Sequence, residues 1–134
     1  MTRAQTWLAA TLTVGVLVPL WLVEYPPLQD YPYHLVRAHV LAQYDDPAFD
    51  YREVFTRSWY PAPYVLADWL VAGLGRLAGI ALAGKVVLSL YLFLFPWSLI
   101  YLARGVGEER GVLGFLGFLL VFNWHFHMGF VSYV

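Results

Sequence analysis

TWLAATLTVGVLVPLWLVEYPPLQDYPYHLVR, residues 6 to 37, decides how this chain is read. Its first part, Thr6 to Val23, carries no charge. Its second part, Glu24 to Arg37, is a polar and aromatic island with an acid, an imidazole and a cation in close succession. A chain that only crosses a bilayer and turns has no need of Asp30, His34 and Arg37 at that place. If the residues from Tyr31 onward are helical, each advances about 100°, so these three fall within about 60° of one another. His39 falls nearly opposite. Asp30 also suits a helix N-cap, with Pro32 in the first turn behind it.

Composition places the whole chain in the integral-membrane class. Of its 134 residues 60% are apolar and only 13% charged, and the mean hydropathy is +0.60. One soluble core of this size could not hide that much apolar surface. The net charge of −1 is not concentrated in a basic patch, so nucleic acid is not expected as a partner. The absence of cysteine removes disulfides, thiol catalysis and cysteine metal sites together. No Ser-His-Asp, His-Glu-x-x-His, P-loop or Rossmann signature occurs.

The expected fold is all-α: a polytopic membrane protein with about three transmembrane helices and external juxtamembrane helices. The first span is 6–23, flanked by Trp7 and Tyr25 at the two interfaces. No small-x-small cleavage site follows it, so it reads as a retained anchor rather than a signal peptide. The external loop is 24–83 and holds helices at 31–44 and 64–79, the first stopped by Asp45-Asp46-Pro47. In 64–79 the residues Leu66, Trp69, Leu70, Leu74 and Leu77 form an apolar stripe, while Asp68, Ala72, Gly75 and Arg76 form a small, polar face. That pattern suits a helix lying in the interface. Further spans follow at 84–104, kinked at Pro96, and at 111–130, where Gly111, Gly114 and Gly117 permit close helix approach. Arg3, Arg104 and Arg110 are then cytoplasmic and the long loop extracytoplasmic. A four-span arrangement, with 64–79 crossing, is the alternative.

Pro27-Leu28-Gln29-Asp30-Tyr31-Pro32-Tyr33-His34, the Pro61-Ala62-Pro63-Tyr64 entry and Gly129-Phe130-Val131-Ser132-Tyr133 together resemble the N-terminal part of bacterial GT-C-like glycosyltransferases and related uncharacterised integral membrane proteins. The resemblance implies the bacterial inner (plasma) membrane and transfer of a sugar from a polyprenyl-phosphate carrier on the extracytoplasmic side. It makes Asp30 the carboxylate of the first external loop. Many members carry an adjacent acidic pair there, whereas Asp30 stands between Gln29 and Tyr31, so a divalent metal, the cofactor such a pair would hold, is left open. Such proteins usually have eight or more spans. The chain therefore reads as an N-terminal fragment, to be completed by C-terminal helices or a partner membrane subunit.

Inverting transfer needs a base for the acceptor hydroxyl and a cation for the leaving phosphate. Asp30 and His34 are the catalytic candidates, with His34 orienting the acid or sharing the proton. Arg37, Trp59, Tyr60 and His127 are the substrate-binding candidates, Arg37 for the phosphate and the aromatics for sugar faces. Asp45, Asp46 and Asp50 lack the glycine turn and final Glu of a calcium loop and read as a solvated turn. A transporter using the same Asp and His as a proton path, or a non-catalytic membrane subunit, are the rival functions. Asp30 at the external interface favours transfer, and Asp30 or Asp68 on a mid-membrane cavity favours transport.

Overall fold

The computed structural model describes residues 1–57 and 65–129, and among them every regular element is helical. Trp59, Tyr60 and the Pro61–Tyr64 entry lie outside the described residues, as do 130–134. Helix α1, Arg3–Leu22, starts in a capping box: Thr2 Oγ1 accepts from the Gln5 backbone N–H, and Gln5 Oε1 accepts from that of Thr2. Helix α2 is Tyr31–Ala42, the single-turn α3 is Tyr51–Val54, and α4 is Leu66–Ala78. Helix α5 runs through Pro96 from Ile80 to Val106. It begins directly after Gly79, whose φ of +85° only glycine adopts readily and which separates it from α4.

Two of these helices, α1 and α5, are long and apolar enough to cross a membrane, with mean hydropathies of 1.4 and 2.0. They pack antiparallel, and polar bonds hold their register. Trp21 Nε1 donates to Ser89 Oγ at 3.1 Å, and Trp97 Nε1 donates to Thr13 Oγ1 at 3.0 Å. Eight residues down α1 are thus matched by eight residues up α5. Lys85 Nζ donates to the Val23 carbonyl at the end of α1. In lipid, hydrogen bonds and close packing must supply what the hydrophobic effect cannot. Followed to its other end, this register sets the Arg3 end of α1 beside the Arg104–Gly107 end of α5.

At thirteen residues α4 is about 20 Å long, too short to cross a hydrocarbon core of about 30 Å. Its faces are inverted relative to a water-soluble helix. Leu66, Trp69, Leu70 and Leu77 are exposed, while Asp68, Val71 and Ala72 are buried. An apolar stripe turned away from the protein needs an apolar solvent to face.

The stretch expected as one span at 111–130 is not one continuous α-helix. A 3-10 helix, Glu108–Leu116, leads into α6, Gly117–Leu120; the chain breaks and restarts as α7, Trp124–His127. Asn123 causes the restart, its Oδ1 accepting from the Phe126 backbone N–H at 3.0 Å as an N-cap. The glycines explain the 3-10 portion. A Cβ on Gly111 would stand 2.6 Å from Arg104 Cγ, one on Gly114 2.6 Å from Ile100 N, and one on Gly117 2.8 Å from Pro96 Cα. Those α5 residues are four apart, about 6 Å of α-helix, and three residues of 3-10 helix also rise about 6 Å. The two repeats stay in step, so a straight row of glycines lies against one row of α5.

This contact should be intolerant of a single methyl group. Gly114→Ala places its Cβ on the backbone of Ile100 and should destabilise the protein by about 1–3 kcal/mol. Gly15→Ala in α1, where nothing lies within 4 Å, should be neutral or stabilising. Thermal unfolding in one detergent reads both; equal melting temperatures for the two variants would refute the glycine row.

Candidate functional site

Helix α2 is seated by its first residue. Tyr31, only 1% exposed, fills the notch left by the absent side chain of Gly84 on α5, and Leu35 packs beside it. The buried positions Tyr31, Leu35 and Ala38 repeat at helical spacing. The neighbouring face, carrying His34 and Arg37 one turn apart, turns to α4. Helices α2 and α4 run parallel: Asp68 meets His34, and eight residues further on Arg76 Nε donates to the Ala42 carbonyl at 3.3 Å, covering the end of α2.

At the centre of this contact lies Asp68, 1% exposed. His34 Nδ1 is 3.0 Å from its Oδ1, and Arg37 Nη2 is 2.9 Å from its Oδ2. The arginine contact is an ion pair off the line of a good hydrogen bond. Arg37 also lies 5.8 Å from the centre of the Tyr33 ring. A buried charge is costly unless paired, and here a guanidinium and an imidazole surround it. The imidazole side chain is 13% exposed and the guanidinium side chain 33%, so the triad is closed beneath and open above.

The acid that His34 and Arg37 share is therefore Asp68 of a different helix, not Asp30. Asp30 does occupy the N-cap position of α2, but its side chain makes no capping bond. Its backbone carbonyl accepts from the N–H groups of Tyr33 and His34, and its half-buried carboxylate takes no partner among the described residues. The spacing of Asp30, His34 and Arg37 suggested one shared face; Asp68, thirty-four residues beyond His34, left only the signal of an acid on the small face of an apolar helix.

His127 comes to the same neighbourhood by another route. The Gln29 N–H donates to the His127 carbonyl at 3.3 Å, and the Asp30 N–H donates to the Met128 carbonyl at 2.9 Å. Gly129, at φ +73°, lies so close that a Cβ would stand 2.6 Å from Tyr31 N. The segment from Pro27 to His34 is thus paired backbone to backbone with the two residues just before Gly129. Beside them opens an apolar cleft of about 180 Å³, lined among others by Val16, Leu20, Leu28, Leu92, Phe126 and the exposed His127. Asn123, one turn before His127, is turned to α5, its Nδ2 donating to Tyr91 Oη at 3.0 Å.

The remaining polar residues of the loop serve local structure. Arg52 donates to Asp45 Oδ1 from Nη2 at 2.6 Å and holds that carboxyl below its ordinary range. Asp46 Oδ1 accepts from the Ala48 N–H across a turn. His39 packs edge-on against Phe49 and Tyr51. Among the described residues no three His, Asp or Glu side chains gather in a way that could hold a metal. With Gln29 and Tyr31 flanking Asp30, these residues do not fit a divalent cation.

No family model, no curated protein and no solved structure matches the chain.

The seat of α2 can be tested through its buried phenol. Burial pushes the Tyr31 hydroxyl from 10.0 up to about 12, and the hydroxyl has no hydrogen-bond partner among the described residues. The folded protein holds that proton where the unfolded chain loses it. The corresponding stability is complete below pH 10 and falls as the pH rises from 10 to about 12. Tyr31→Phe removes an unpaired buried group, so it should melt no lower than the wild type at neutral pH and lose less stability over that alkaline window. A clear loss at neutral pH would mean that the hydroxyl is bonded.

Proposed function

We propose that this chain forms the N-terminal membrane region of a GT-C-like glycosyltransferase. It transfers a sugar from a polyprenyl-phosphate donor on the extracytoplasmic side of the bacterial inner membrane. The observation that carries this reading is the pairing of Gln29 and Asp30 with His127 and Met128, which ties the segment bearing an uncommitted carboxylate to an apolar cleft lined by Leu28 and His127. Such a cleft suits a prenyl chain, and His127 is the polar residue of its lining that could meet the phosphate or sugar. In this reaction the acceptor oxygen bonds to the sugar C1 as the C1–O bond to phosphate breaks. Asp30 takes the acceptor proton, and the phosphate leaves with the bonding electrons beside Arg37 and His34.

Three spans fit the proposal: α1, α5 and the return through the 3-10 helix and α6. That return covers about 24 Å in thirteen residues because the 3-10 portion rises about 2.0 Å per residue, and α7 adds the further distance of about 6 Å that a core of about 30 Å requires. The α1–α5 register gathers Arg3, Arg104 and Arg110 at one end, which the positive-inside rule makes cytoplasmic. The end bearing Asp30 is then outside. Proton-coupled transport is favoured instead by the burial of Asp68, so the two readings divide over which acid does the chemistry.

Because the Asp30 side chain does not cap α2, Asp30→Asn and Asp30→Ala should both accumulate and fold as the wild type does. Both should lower sugar transfer from a prenyl-phosphate donor in native membranes by about 10²–10⁴-fold. Undiminished transfer by either variant would remove Asp30 from the reaction, and no transfer by the wild type would remove the transferase reading.

A further inference from the structure

The two groups bound to Asp68 differ in what they can offer it. A guanidinium only donates. An imidazole can present a proton or a lone pair from Nδ1, and its tautomer is set by the partner of that nitrogen. Here Nδ1 faces a carboxylate oxygen at 3.0 Å while the other oxygen is ion-paired with Arg37. A carboxylate in an ion pair accepts, so the hydrogen between the two atoms belongs to the ring. A neutral ring with its proton on Nδ1 carries its lone pair on Nε2, and Nε2 has no partner among the described residues.

We propose that Asp68 is a positioning residue for His34. It fixes the ring as the Nδ1–H tautomer and thereby leaves Nε2 as the proton-accepting nitrogen of the ring. The chemical use of that acceptor rests on the glycosyl-transfer reading: the proton that Asp30 takes from the acceptor hydroxyl can pass on to Nε2, and the positive charge formed on the ring lies against the Asp68 carboxylate. In that relay the O–H bond on Asp30 breaks as the Nε2–H bond forms, after the acceptor oxygen has bonded to C1 and the phosphate has left. The tautomer itself does not depend on the reaction, because the carboxylate and the guanidinium impose it in the absence of any substrate.

Asp68→Asn tests this sharply. An amide has one accepting oxygen and a donating NH₂. Arg37 can only donate, so it claims the oxygen and leaves the NH₂ facing Nδ1, which must then accept. The ring proton should move to Nε2, the nitrogen that needs a lone pair. A triad whose acid is replaced by its amide loses activity through the same wrong tautomer in a serine protease. In Asp68→Asn/Arg37→Met the oxygen is released to accept from Nδ1–H again, and the original tautomer should return.

The measurement is ¹⁵N NMR of the histidine rings in lipid nanodiscs at about pH 8.5, above the ordinary imidazole range, with His34 identified by its loss in His34→Gln. The expected pattern is Nδ1–H in the wild type, Nε2–H in Asp68→Asn and Nδ1–H in the double variant. In native membranes Asp68→Asn should also lower kcat for sugar transfer by about 10²–10⁴-fold, the range for loss of a proton acceptor. A wild-type ring protonated on Nε2, or an Asp68→Asn ring unchanged from the wild type, would overturn the proposal whatever Asp30 does. Absence of sugar transfer by the wild type would overturn the transferase reading and leave the tautomer result standing.

Discussion

Asp68 sets the constraint to which the loop end of this protein answers. A carboxylate at 1% exposure must be compensated, and the chain does so with two side chains of α2 spaced one helical turn apart. That requirement makes α2 and α4 run parallel and fixes their register. Arg76 then falls on the open end of α2, and Tyr31 falls on the notch at Gly84 of α5. The same placement carries Asp30 to the first turn of α2, where the returning segment at His127 and Met128 pairs with it. One buried charge therefore connects the packing of three helices to the position of the candidate site.

The remainder of the molecule follows rules suited to lipid. Its two long helices are held by tryptophan and hydroxyl hydrogen bonds, and the return segment is held by a row of absent side chains. Neither device draws on burial of apolar surface from water, which lipid does not reward. The outward leucines of α4 express the same condition: apolar groups face out, and the charge faces in.

Much of this was legible in residue patterns. The uncharged run to Val23 marked α1, and Asp45-Asp46-Pro47 marked the end of α2 within a few residues. Helix α5 extends past the expected span 84–104 at both ends: Lys85 lies within the helix, its ammonium reaching the Val23 carbonyl, and the helix begins at the Gly79 turn. The three-residue glycine spacing announced a close approach, but a hydrophobicity profile does not distinguish α from 3-10 geometry. Only the match between a three-residue and a four-residue repeat explains it. The Asp68 partnership was hidden for a different reason. Helical periodicity relates residues within one element, and Asp68 belongs to another, so Asp30 stood in for it. The pairing of Gln29 and Asp30 with His127 and Met128 uses backbone atoms, which leave no mark on residue identity.

The account rests on Asp68 and Arg37 being a coupled, buried pair, and a double-mutant cycle tests that most directly. Asp68→Leu and Arg37→Met would be made singly and together, with unfolding followed in one detergent. Each single change strands a charge or a polar cluster and is expected to cost about 3–5 kcal/mol, whereas the double variant replaces the pair by apolar side chains and is expected to lie near the wild type. The resulting interaction energy would exceed about 2 kcal/mol, well above the few tenths shown by independent sites. Additive losses, with an interaction of about 0.3 kcal/mol or less, would contradict the pairing and the helix register built on it.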